Sequence, residues 1–185
     1  MDNETVLNAI KTRFPEAVIA SSEPFALLTL EIELSFIKPL IHWLKEDPET
    51  NFIFLTTLCG VHYPGKGEKE FAIVYHLHNL EANYRLRLKT FTSRLNLTIP
   101  TITDLYAAAN WMEREAFDFY GFIFTGHPNL KRILNMEEMT YFPMRKEYPM
   151  EDGTRTDKDD RYFGRDGNEE VKFENKKALA RENND

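Results

Sequence analysis

The chain has 185 residues, 42% of them apolar and 29% charged, and carries a formal charge of −7. That length and balance suit one soluble globular domain with a sizeable core. The negative charge argues against a nucleic-acid binder, whose affinity rests on Lys and Arg neutralising phosphates, and no apolar run approaches the ~20 residues of a membrane helix.

Reading from the start, MDNETVLNAI is acidic and amphipathic, unlike a secretory signal or an Arg-rich transit peptide. Residues 3–14 place Val6, Leu7, Ile10 and Phe14 on one helical stripe, with Asp2 or Asn3 as cap and Pro15 as stop. AVIAS at 17–21 and FALLTLEIEL at 25–34 predict two strands. Ile37, Leu40, Ile41 and Leu44 then follow helical spacing over 35–46, with Ser35 as the expected cap and Pro39 tolerable only in the first turn. Next comes FIFLTTLC (52–59), apolar enough for a central strand. EFAIVYHLHN (70–79) alternates Phe71, Ile73, Tyr75 and Leu77 against Ala72, Val74, His76 and His78. NYRLRLKTFT (83–92) puts Tyr84, Leu86 and Leu88 inward, and the short LEA link makes the last two strands a hairpin. A helix over 102–119 is predicted from Leu105, Ala109, Met112 and Ala116, capped by Thr101 or Thr103 and ended by Gly121.

The order α-β-β-α-β-β-β-α lacks repeated strand–helix–strand alternation, so the expected fold is α+β: a two-layer sandwich with a mixed or antiparallel sheet. The domain spans 1–126, a motif loop 127–150, and a charged, extended or disordered tail 151–185. That tail offers few apolar anchors, Tyr162, Phe163, Val171 and Phe173 chief among them, too few to offset its ordering entropy.

Catalytic and metal chemistry find little support. The single cysteine, Cys59, forbids an intrachain disulfide, falls short of an iron–sulfur ligand set, and in its apolar run reads as a buried small hydrophobe. No G-x-S-x-G elbow, dinucleotide fingerprint or Walker sequence occurs, and GVHYPGKG has the wrong spacing for a phosphate loop. His76-x-His78 has a zinc-compatible spacing but lacks a second clustered pair; two histidines on an outward strand face are more often plain polar surface. Glu115 and Asp118 share a helix face without any Glu-x-x-His; pairing of Arg114 with Asp118 at i, i+4 is the simpler reading.

One stretch stands apart. EREAFDFYGFIFTGHPNLKRIL, Glu113 to Leu134, interleaves ionisable groups with Phe117, Phe119, Tyr120, Phe122 and Phe124. Arg114, Arg132 and Arg145 are planar forks suited to carboxylates across an interface, and aromatics with Arg are the usual hot-spot composition. The competing reading is that the aromatics close this domain's own core.

This stretch resembles the signature of the 30 kDa subunit of respiratory complex I, the NADH:quinone oxidoreductase. The resemblance is carried by Glu113, Arg114, Glu115, Asp118, Tyr120, Gly121 and Phe124, then Gly126, His127, Pro128, Leu130, Arg132, Ile133 and Leu134. It continues in Pro143-Met144-Arg145-Lys146-Glu147-Tyr148-Pro149, and FLTTLCGVHYPG and IPTITDLYAAANW upstream also resemble the family. His62 departs from the Asp usual there, and Met144 and Glu147 replace Leu and Asp. The resemblance implies an interface role for these residues and no catalytic residue, cofactor or metal in this chain. It further implies FMN, iron–sulfur clusters and quinone in partner subunits, and packing beside the 49 kDa-like subunit and other members of the hydrophilic arm. Related subunits of membrane-bound hydrogenases and ferredoxin-linked complexes are the alternative; a free-standing metalloprotein using His76 and His78 is a distant one.

Overall fold

Asp2 opens the first helix, its carboxylate accepting from the Thr5 amide at 2.8 Å. In the computed structural model, which describes residues 2–148, helix α1 runs Asn3–Arg13. Glu4 in its first turn and Lys11 and Arg13 in its last complement the helix dipole. Strands β1 (Val18–Ser22) and β2 (Thr29–Ile32) follow, then α2 (Ile37–Glu46), β3 (Phe54–His62), β4 (Phe71–Asn79) and β5 (Tyr84–Thr92). The described chain ends with β6 (Thr98–Pro100), α3 (Ala109–Tyr120), β7 (Ile123–Thr125) and an irregular segment to Tyr148.

Five strands form one mixed sheet in the order β1-β2-β5-β4-β3. Only the β2–β5 pair in it is parallel; the β4–β5 hairpin pairs from Asn79↔Tyr84 to Phe71↔Thr92. The alternation read in the sequence sets its faces. Phe71, Ile73, Tyr75, Leu77, Leu86 and Leu88 are fully buried and share one core with Val6, Ile10, Ile37, Leu40, Ile41 and Leu44 of α1 and α2. Each such Leu or Ile contributes about 1.5–3 kcal/mol by leaving water. The result is the α+β two-layer arrangement expected, with a mixed sheet.

Several boundaries differ, each for a local reason. Of FALLTLEIEL only Thr29–Ile32 pairs, because Phe25 and Ala26 take left-handed φ of 57° and 60° and turn the chain. In α2 Pro39 does fall in the first turn, but Ser35 is not its cap: Phe36 holds that position without a side-chain bond. The apolar run FIFLTTLC does not supply a central strand. β3 starts at Phe54 and lies at the sheet edge, where α3 shields it; the Leu58 amide points to Met112 Sδ at 3.2 Å. Cys59, on the outward face of that edge strand, is exposed rather than buried. The third helix begins at Ala109, not 102, and neither Thr101 nor Thr103 caps it; residues 101–108 are held as turns by a carboxylate from within the helix. Strands β6 and β7 pair in parallel as a separate small ribbon, too short to register as periodicity.

Candidate partner interface

Helix α3 carries the charged signature, and most of that charge is turned inward. Asp118 is fully buried, and its carboxylate accepts from the backbone amides of Ile133, Leu134 and Asn135 at 3.0, 2.8 and 2.9 Å, and from Asn135 Nδ2 at 3.0 Å. Arg132 Nη1 donates to the same carboxylate at 2.7 Å and to the Asp118 carbonyl at 2.9 Å. Successive amides converging on one carboxylate form an anion nest. Burial works to raise the Asp118 pKa, but the Asn135 and Leu134 amides and the Arg132 guanidinium outweigh it and hold the group well below the usual carboxylate range.

Arg132 reaches further. Its Nη2 donates to the carbonyls of Met139 and Tyr141 at 2.7 and 3.1 Å, and its guanidinium lies over the Phe142 ring. One side chain thereby ties the end of α3 to the later part of the motif loop.

Arg114 does not pair with Asp118, as helix spacing suggested. Its guanidinium donates to the carbonyls of Lys131 and Arg132 at 3.1 and 3.0 Å and lies over Trp111, while Asp118 faces the loop amides. Arg145 likewise donates from Nε to the Tyr120 carbonyl at 2.8 Å and covers the Phe142 ring, 4.6 Å from its centroid. All three forks therefore hold carbonyls of their own chain.

Glu113 is fully buried at the other end of the helix. It accepts from the Ile102 amide at 2.8 Å and the Thr101 hydroxyl at 2.6 Å, which is what wraps residues 101–108 into turns. Burial pushes its pKa up to about 7, with the Ile102 and Thr101 hydrogen bonds drawing it partway back. His127 Nδ1 accepts from the Asn129 amide at 3.0 Å, so Nε2 carries the proton and donates to the Asn110 carbonyl at 3.2 Å, fixing Pro128 beside the start of α3.

Two glycines are required by conformation. Gly121 ends α3 at φ 83°, and a Cβ there would lie 2.7 Å from both Arg145 Nη2 and the Phe142 ring. Gly126 turns the chain into the loop at φ 84°.

His62, where the sequence departs from the family pattern, makes contacts the sequence did not foretell. It is buried and stacked on Phe71 with ring centroids 4.4 Å apart. Its Nδ1 accepts from the Lys146 amide at 2.9 Å, so Nε2 donates to Glu70 at 3.0 Å. Arg94 bonds Glu70 in turn and pairs with Glu147. The only signal for this was the order Gly-Val-His at the end of a strand.

The aromatics divide. Phe122 and Phe124 are core, Phe117 packs on Phe142, and Tyr120 is half-buried beside Phe122. The clasped segment exposes large apolar side chains, Leu134, Met136 at 70%, Tyr141 and Met144, among exposed Lys131, Glu137 and Glu138, and Trp111 of α3 is exposed as well. Leu130 and Ile133 are half-buried beneath them, Pro143 is half-buried, and Lys146 and Tyr148 are exposed, with Tyr148 against Tyr141. Glu115 is exposed as well. Pro149 and the tail from 151 lie outside the described residues. His76 and His78 do not converge on further ligands: His76 Nε2 accepts from Arg87 Nε at 2.8 Å, His78 faces Asn83, and no three metal-ligating side chains cluster among the described residues.

The sequence model of the respiratory-chain NADH dehydrogenase 30 kDa subunit matches residues 30–154. The chain belongs to this family. It is 40% identical over 150 residues to the C subunit of the NADH-quinone oxidoreductase of Roseiflexus castenholzii, covering 81% of this chain and 86% of that one. The same subunit of the Maricaulis maris enzyme is 41% identical over 123 residues, covering 66% and 60%. Among solved structures, the trypsin-resistant fragment (1–134) of Nqo5 is 26% identical with a TM-score of 0.60, covering 70% of this chain and 100% of that one. A chain in the membrane-bound sulfane sulfur reductase, an archaeal respiratory membrane complex, is 29% identical with a TM-score of 0.66, covering 80% and 85%. The family match begins at β2 and takes in the whole clasp, whereas α1 and β1 lie before it. No helix among the described residues is long and apolar enough to cross a membrane.

Proposed function

We propose that this chain is a cofactor-free positioning subunit in the hydrophilic arm of an NADH:quinone oxidoreductase, packed against the 49 kDa-like subunit near the quinone site. The observation that carries this reading is the Asp118–Arg132 clasp. It commits Asp118 and Arg132 to shaping one loop, and that loop displays Leu134, Met136 and Tyr141 to the outside. An exposed apolar surface held rigid by internal bonds suits permanent association better than catalysis. FMN, iron–sulfur clusters and quinone belong to partner subunits, which fits a chain with one cysteine and no nucleotide loop. Electron transfer from NADH to quinone, coupled to ion movement, is the work of the assembly; this chain keeps partners in register at the cytoplasmic face of the inner membrane.

The likeness to a chain of the archaeal sulfane sulfur reductase favours a second reading, in which the same positioning role serves a related membrane-bound hydrogenase or ferredoxin-linked complex. A pull-down from solubilised native membranes through an N-terminal tag, with partners identified by mass spectrometry, separates the two. Flavin, cluster-bearing and 49 kDa-like subunits are the expected yield. Hydrogenase-like partners select the second reading, and recovery of the chain alone refutes both.

A further inference from the structure

Among Glu113, Arg114, Glu115 and Asp118, three direct their charge inside the chain. Glu115 is the exception: it is exposed and makes no hydrogen bond or ion pair among the described residues. It sits between Trp111 and Phe119 in an i, i+4, i+8 row along the outer side of α3. Beside that row lies a cleft of about 120 Å³ whose walls are Leu58, Cys59, Ala116, Phe119 and Met144, with Glu115 as its one carboxylate. Gly60 completes it; a Cβ there would come within 2.6 Å of the Tyr120 ring, so the cleft's form depends on this close approach. Cys59 is exposed as a residue, but its thiol lies against the cleft walls: partial desolvation there first, and the Glu115 charge second, raise its pKa, and Arg87 draws it partway back.

We infer that this cleft receives an arginine side chain from a neighbouring subunit, its aliphatic stem against Leu58, Phe119 and Met144 and its guanidinium on Glu115. Covering this surface with an apolar side chain alone would leave the Glu115 carboxylate desolvated and unpaired, a costly outcome. A guanidinium satisfies it, and being planar and weakly hydrated it stacks on an aromatic wall where an ammonium would retain its water. The inference rests on the proposed reading that this side of α3 meets a partner. It adds to that reading the chemistry of one contact and the residue that selects it.

Cys59, the sole cysteine of the chain, is a built-in reporter because it lines the cleft. Maleimide labelling of the free full-length chain is compared with labelling of the purified complex. Cys59 is expected to react in the free chain and to be protected at least roughly tenfold in the complex. Glu115→Lys, which places like charges together, restores labelling, whereas Glu115→Asp retains protection. Equal labelling in chain and complex, with partner subunits present, overturns the inference while leaving the positioning role intact. So does protection that Glu115→Lys leaves unchanged, which would mark an apolar occupant. Protection already complete in the free chain also overturns it, because the occupant is then not a neighbouring subunit of the complex. Absence of any partner subunit from the preparation overturns the positioning role as well.

Discussion

Arg132 Nη1 meets Asp118 Oδ1 at 2.7 Å, and the two residues then share the work of holding the loop: the carboxylate gathers three amides and the guanidinium gathers carbonyls. Neither group can be replaced by its partner's kind. Arg132→Ala leaves a buried carboxylate without its cation, so a loss of about 3–5 kcal/mol is expected where the loop's folding is coupled to the domain's. Urea denaturation of the isolated chain measures it, and the yield of assembled complex should fall in parallel. Unchanged denaturation and assembly would show that the clasp is dispensable.

Asp118 also sets the acid limit of the loop. Its folded pKa is depressed, so its stabilisation is present above the ordinary Asp value and is lost as pH falls through the folded one. Asp118→Asn should lower stability at pH 7 and flatten the stability profile below about pH 4. A variant that loses stability equally at pH 7 and at the acid end contradicts the electrostatic account.

Glu113 acts with the opposite sign. Its folded pKa of about 7 lies above the ordinary Glu value, so the folded state holds a proton that the unfolded chain has released. Its contribution is greatest below the unfolded pKa and is lost as pH rises through the folded one, to a plateau beyond. Glu113→Gln mimics the protonated form, with Oε1 still able to accept from the Ile102 amide. The substituted chain is expected to keep its low-pH stability and to lose less between about pH 5 and pH 7, at up to roughly 1.4 kcal/mol per pH unit. Thermal melts across that range provide the measurement.

His62→Phe preserves the stack on Phe71 but removes both ring hydrogen bonds, leaving the Lys146 amide without its acceptor. A cost of about 1–3 kcal/mol is expected, confined to the end of the clasped segment. Hydrogen exchange should accelerate at Lys146 and its neighbours while the β4 amides remain protected. Uniform acceleration throughout the sheet would place His62 in the global fold instead.

At Gly121 an alanine must adopt φ 83° and also displace both the Arg145 guanidinium and the Phe142 ring. Backbone strain alone costs about 1 kcal/mol and the lost packing adds to it, so Gly121→Ala is expected to destabilise by about 2–3 kcal/mol. The same substitution at Gly65, equally left-handed but open to solvent, supplies the comparison and should cost less.

Much of the fold was legible because alternation and helical spacing report burial directly. Tyr84, Leu86 and Leu88 against Arg85, Arg87 and Lys89 fixed both the strand and its inner face, and Ile37, Leu40, Ile41 and Leu44 did the same for α2. Hydrophobicity alone misled at FIFLTTLC, since a strand shielded by a helix on its edge is as apolar as a central one. It misled again at 102–108, where Leu105 continued the helical stripe but Glu113 had claimed the backbone amide of Ile102. The signature was legible as a pattern, but its direction was not. Whether Asp118 and Arg132 face a partner or their own loop depends on three amides 15–17 residues away, which no local periodicity encodes.

Strand β5 lies between β2 and β4, although it is the last of the five to be synthesised. A ribosome that has released the chain only as far as Asn79 has supplied both outer portions of the sheet without the strand that joins them. Thr29 must wait for Arg87 and Leu30 for Leu88, so until then the β1–β2 and β3–β4 pairs remain two separate pieces of sheet. The five-stranded sheet is therefore expected to close only after Tyr84–Thr92 has emerged, with the edge of β2 unpaired until then.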